Sequence, residues 1–161
     1  MTTFASDALR TRMNRDNDYV RFKQLHPTSQ LASVWSFPEQ STEFYLADYV
    51  ARLWVIPTQS QASVCPQCEL PYYDLVEHVI SQCMTTIHVV DGFIDHVNRV
   101  FGSTLVTLLR SYSASELCLV VMGSPTITVT VPEEHKHDFL KACFQLLYQA
   151  MECYNCNVVT A

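Results

Sequence analysis

The stretch Cys65-Pro-Gln-Cys68-Glu-Leu-Pro-Tyr72-Tyr73-Asp-Leu-Val-Glu77-His78-Val-Ile-Ser-Gln-Cys83 decides how this chain is read. It carries the pattern C-x2-C-x9-H-x4-C. A two-residue gap lets a tight turn aim two thiolates at one ion, and a short helix then delivers an imidazole and a third thiolate. Three Cys and one His make a tetrahedral set with no open position, which is the chemistry of a structural Zn²⁺ site. The predicted ligands are therefore Cys65, Cys68, His78 and Cys83, with Zn²⁺ as cofactor. His78 and Cys83 lie five residues apart, about 140° out of phase on an intact helix. The last turn before Cys83 must loosen for both to face one ion. The competing reading is two chance buried cysteines and an ordinary surface histidine. His88, five residues after Cys83, is a substitute ligand.

The flanking sequence predicts helices. Leu46, Val50 and Leu53 fall at i, i+4 and i+7 within a helix over 42–55 that Pro57 stops, and the polar run 58–63 is a loop. A short helix is expected over 73–82. Ile87, Val90, Ile94, Val97 and Phe101 form an amphipathic stripe that Gly102-Ser103 interrupts and 104–110 resumes. Ser113-Ala-Ser-Glu116 matches a capping box ahead of Leu117 to Met122, which Gly123-Ser-Pro125 closes. Thr126 to Val131 alternates strictly and predicts a short strand, too little for a sheet of its own. Pro132-Glu-Glu134 opens a final helix whose apolar face is Phe139, Leu140, Phe144, Leu147 and Met151. Upstream, a helix over about 5–24 precedes an irregular connector over 26–41. The expected fold class is all-α, a small helical domain organised around one zinc knuckle. It divides into an N-terminal helix and connector (1–41), a helix plus knuckle (42–84) and a C-terminal helical region (85–161).

Composition narrows the function. The chain has 161 residues, 48% of them hydrophobic and only 16% charged, which suits a folded domain rather than a disordered polar chain. No apolar run approaches the ~18 residues of a membrane span, and the start shows no basic-then-apolar leader pattern. Seven cysteines without such a leader are expected to be reduced, predicting an intracellular protein with no membrane partner. The net charge of −6 falls entirely within residues 61–161, because residues 1–60 balance. That is poor bulk electrostatics for nucleic acid. The one basic-aromatic cluster is Arg10, Arg12, Arg15, Arg21 and Lys23 with Tyr19 and Phe22, though Asp7, Asp16 and Asp18 also make it an ordinary charged helix face. Cys153-Tyr-Asn-Cys156 is a second C-x2-C, open to a four-cysteine site with Cys65 and Cys68, to a redox pair or to a frayed terminus. His135-Lys-His137 has acidic neighbours, but i,i+2 residues point apart on a helix, which favours a solvated helix start. Cys118 and Cys143 sit in apolar helical stripes as buried hydrophobes.

The knuckle segment, from Cys65-Pro-Gln-Cys68 through Asp74-Leu-Val-Glu77-His78-Val-Ile-Ser-Gln-Cys83, resembles the C-terminal zinc-knuckle region of non-LTR (LINE-type) retrotransposon reverse transcriptases. Tyr49 to Ile56 resembles the helix that precedes that knuckle. The region after Cys83, with Arg99 and Ser115-Glu116-Leu117, resembles the tail that follows it. The resemblance implies a zinc-binding, nucleic-acid-associated tail, with Tyr72 or Tyr73 stacking on bases of single-stranded RNA or DNA and the basic residues on phosphate. No Asp-Asp pair for polymerase metals and no Gly-Lys-Ser/Thr loop occurs in the chain. It is expected to be no enzyme and to have no small-molecule substrate. The alternative is a zinc-stapled protein-interaction module without a nucleic-acid role.

Overall fold

The last helix is the one around which the others assemble. The structure, a computed structural model, describes residues 42–53, 60–123 and 131–160. Their order is helix α1 (Thr42–Leu53), strands β1 (Ser63–Val64) and β2 (Pro71–Tyr72), and helices α2 (Leu75–Ser81), α3 (Ile87–Phe101), α4 (Ser103–Ser111) and α5 (Ala114–Val121). A 3-10 turn at Glu133–His135 then leads into α6 (Lys136–Thr160). Helix α6 packs against α1, α2, α3 and α5. It can do so because its apolar positions extend beyond one stripe. Phe139, Leu140, Ala142, Cys143, Phe144, Leu146, Leu147, Ala150 and Met151 are all buried. Complete burial of a Phe or Leu side chain contributes about 1.5–3 kcal/mol, so this wide face sets the bundle's geometry.

Helices account for 72% of the described residues, as the periodicities predict. The one sheet among the described residues is the antiparallel pair β1–β2, in register Ser63 with Tyr72 and Val64 with Pro71. Two-residue strands are too short to show alternation, so the sequence signals neither, and Ser63, expected in the loop over 58–63, opens β1. Helix α2 begins later than that reading, at Leu75. Asp74 sits in extended conformation as its N-cap, accepting from the Val76 and Glu77 amides at 3.0 and 3.2 Å.

The break in the long stripe falls at Gly102, whose φ of 97° and ψ of 167° lie where side-chain-bearing residues are strained. Of the stripe, Val97 is buried and Val90, Ile94 and Phe101 are half-buried against the core, whereas Ile87 is 57% exposed; Phe93, outside the stripe, is buried as well. The buried line of α3 therefore starts one turn later than the stripe suggests. The capping box forms as expected: Ser113 Oγ accepts from the Glu116 amide at 3.2 Å, and Glu116 Oε1 accepts from the Ser113 amide at 3.1 Å. Ser115 Oγ donates to Glu77 Oε2 at 3.1 Å, tying α5 to the helix that carries His78. The helix over 5–24, the connector 26–41, the end of the 42–55 helix and residues 126–130 of the strand expected over 126–131 lie outside the described residues.

Candidate metal centre

The turn between β1 and β2 is built by backbone hydrogen bonds. The Cys65 amide donates to Leu70 O and the Glu69 amide to Cys65 O, both at 2.9 Å. Glu69 closes the turn at φ 65°, in the left-handed region. The Gln67 amide points back at Cys65 Sγ, 3.3 Å away. A chain folded this tightly holds Cys65 and Cys68 on the same side, as a two-residue gap requires.

His78 and Cys83 come from the other end of α2, which loosens where the phase argument demands. The Gln82 amide keeps its helical bond to His78 O at 2.8 Å, and the Cys83 amide reaches the same carbonyl at 2.9 Å. That second bond spans five residues and widens the turn, while Gln82 leaves helical geometry at φ −128°. Cys83 swings round to the face occupied by His78. Thr86, buried, secures the exit by donating from Oγ1 to Val79 O at 2.6 Å and Cys83 O at 3.2 Å.

One ligand atom from each of Cys65, Cys68, His78 and Cys83 lies within 4.8 Å of the others. Cys65 Sγ and Cys83 Sγ are 4.0 Å apart, and Cys68 Sγ is 3.4 Å from His78 Nε2. Cys65, His78 and Cys83 are buried, and Cys68 is half-buried. The four side chains form a cluster that could hold a metal ion.

Neighbouring side chains orient the members of this cluster. His78 Nδ1–H donates to Gln82 Oε1 at 3.2 Å, which leaves Nε2 as the free lone pair facing the cysteines. The Tyr72 ring stacks on the imidazole, centroids 5.1 Å apart and planes 26° from parallel, fixing its orientation. The Tyr154 hydroxyl lies 3.5 Å from Cys65 Sγ, and Thr85 Oγ1 lies 3.0 Å from Cys83 Sγ. Burial pushes the Cys65 thiol up. Hydrogen bonds from Tyr154, the Cys68 and Gln67 amides and His78 outweigh it and bring the thiol from 9.0 down to about 6. The Cys68 thiol moves the other way, raised by burial and by the nearby Cys65 and Cys83. Three sulfurs this close cannot all carry charge cheaply without a cation among them.

The other candidates separate from this cluster. His88 is exposed and outside it, and the His135-Lys-His137 segment forms no cluster; His135 instead meets the Phe101 ring edge-on at 5.8 Å. Cys118 and Cys143 are buried in the core as expected. Cys153 and Cys156 lie within α6 rather than in a frayed end, and neither joins Cys65 and Cys68. The Cys153 thiol points at Thr85 O, 3.6 Å away. Tyr73 is 56% exposed. Arg10, Arg12, Arg15, Arg21 and Lys23 lie outside the described residues. The residue that sequence reasoning missed is Tyr154. It stands 89 positions from Cys65 in a helix that looked like a tail. Its one signal was an aromatic placed three residues after Met151 on the apolar face.

No family model, no curated protein and no solved structure matches this chain.

Proposed function

We propose that the cluster holds one structural Zn²⁺ and that the chain is a non-catalytic, zinc-stapled helical tail acting beside nucleic acid. The observation that carries the metal reading is the convergence of three thiols and one imidazole within 4.8 Å. Soft thiolates with one imidazole in a tetrahedral set favour zinc among common divalent ions. A tetrahedron with metal–sulfur bonds of about 2.3 Å has sulfur–sulfur edges of about 3.8 Å and sulfur–nitrogen edges of about 3.6 Å. The spacings of 4.0 and 3.4 Å match it with small adjustments. With four protein ligands the ion has no vacant position for water or substrate, so its contribution is to folding. In comparable peptides that contribution is on the order of 10 kcal/mol at neutral pH. Metal analysis of protein purified without added metal should give one zinc per chain. Cys65→Ser and His78→Ala should each abolish uptake, whereas Cys118→Ser should keep it.

The nucleic-acid role rests on the likeness of the knuckle segment to the tails of LINE-type reverse transcriptases. The exposed Tyr73 beside the ribbon supports it as a stacking platform, while Tyr72 has one ring face on His78. Fluorescence anisotropy of zinc-loaded protein with a labelled single strand of about 20 nucleotides tests it, since phosphate contacts give affinity that falls with salt. One observation favours a second reading, the protein-interaction module: Met84 and Ile87, just past the last ligand, are 74% and 57% exposed in the acidic part of an acidic chain. Absence of strand binding even at low salt would promote it.

A further inference from the structure

Two adjacent residues of α6 reach the knuckle from far along the chain. Tyr154 is only 5% exposed, and its hydroxyl lies 3.5 Å from Cys65 Sγ. Cys153 directs its thiol at Thr85 O, 3.6 Å away, and the Thr85 hydroxyl lies 3.0 Å from Cys83 Sγ. Two of the three sulfurs thus face a hydroxyl donor, one supplied by α6 and one by a loop that α6 touches. Ala150 and Met151, one turn earlier, are buried in the same region of the core.

We propose that Tyr154 is a positioning residue for the metal: its buried hydroxyl holds the Cys65 thiolate, so that the ion and the C-terminal turns of α6 secure one another. The inference rests on the reading of the cluster as a zinc site. A hydroxyl donated to a thiolate is a charge-assisted hydrogen bond, stronger than a neutral one and strongest where water is excluded. It is present only while Tyr154 stays docked. Outer-shell partners of this kind are worth about 10–100-fold in metal affinity. Coupling is reciprocal, because whatever factor the docked helix adds to zinc binding, zinc adds to helix docking. The knuckle is then a clasp on the central helix, joining segments 89 residues apart, and not a local turn stabiliser.

The test uses the full chain and the variants Tyr154→Phe and Tyr148→Phe. Phenylalanine keeps the buried ring and removes only the hydroxyl. Tyr148 is 44% exposed and its ring meets that of Tyr49, away from the cluster. Zinc affinity is read by competition with a chelator, and docking of α6 by hydrogen exchange of the amides over 150–156 with and without zinc. The expected result is about tenfold weaker zinc binding for Tyr154→Phe, unchanged binding for Tyr148→Phe, and a zinc-induced slowing of exchange that shrinks about tenfold in Tyr154→Phe alone. Wild-type protein that binds zinc, with Tyr154→Phe matching it within twofold, would overturn the inference and leave the zinc reading standing. Wild-type protein that binds no zinc would overturn both.

Discussion

Two glycine-to-alanine substitutions ten residues apart should change stability in opposite directions. Gly92 lies within α3 and Gly102 ends it, and at neither position would an added Cβ meet any atom within 4 Å. Packing therefore drops out, and only the backbone decides the sign. At Gly102, φ is 97° with ψ 167°, a region that is essentially glycine-only and costs about 1–3 kcal/mol for a residue with a Cβ. The lower entropy of an unfolded chain with alanine offsets about 0.4–1 kcal/mol of that. Gly102→Ala should destabilise by about 1–2 kcal/mol. Gly92 has helical geometry, where alanine is favoured by about 0.5–1 kcal/mol. Urea unfolding at one fixed zinc concentration, followed by circular dichroism, measures both, because bound metal otherwise shifts the midpoint by mass action. A Gly102→Ala protein as stable as wild type would refute the assignment of the α3–α4 break to backbone conformation. A destabilised Gly92→Ala would show contacts at that position which the structure does not contain.

Asp74→Ala removes the N-cap of the helix that carries His78, at a cost of about 0.5–2 kcal/mol. Chelator competition should show zinc affinity reduced about tenfold, with Asp74→Asn restoring it, since Asn caps as well as Asp. Tyr49 predicts an alkaline limb: burial, with Glu152 and Tyr148 adding to it, pushes its hydroxyl from 10.0 up to about 12. A folded value above the unfolded one means the contribution is complete below pH 10 and is lost as pH rises toward 12, because the unfolded chain ionises first. Tyr49→Phe should make that loss of stability shallower in unfolding curves collected from pH 9 to 12.

The helices were legible because each carries a local signature: the period of Leu46, Val50 and Leu53, the Ser113–Glu116 box, the glycine that splits α3 from α4. The clustering of Cys65, Cys68, His78 and Cys83 was legible for the same reason, since all four lie within 19 consecutive residues and their spacing encodes both the turn and the helix. The demand that α2 unwind before Cys83 followed from helical phase alone, and the bond from the Cys83 amide to His78 O is how the chain meets it. The ribbon was not legible, because four strand residues cannot show a period of two. The surroundings of the ligands divide in the same way. Gln82 lies four residues from His78, within reach of a local argument. Tyr154 and Cys153 reach the knuckle only through the packing of α6, which no spacing near Cys65 records. Cys153 and Cys156 drew attention as a repeat of the C-x2-C pattern. Burial of Tyr154 between them gives the end of α6 its packing role, which the reading of a frayed terminus did not provide for.

The central claim is that Cys65, Cys68, His78 and Cys83 close around one structural zinc ion. Zinc-edge X-ray absorption of the chain purified without added metal tests it most directly, because it counts sulfur and nitrogen neighbours and measures their distances. The account predicts three sulfurs at about 2.3 Å and one nitrogen at about 2.0–2.1 Å, with no oxygen in the shell. A shell dominated by nitrogen and oxygen, a bound water as fourth ligand, or no stoichiometric zinc in the sample would contradict it.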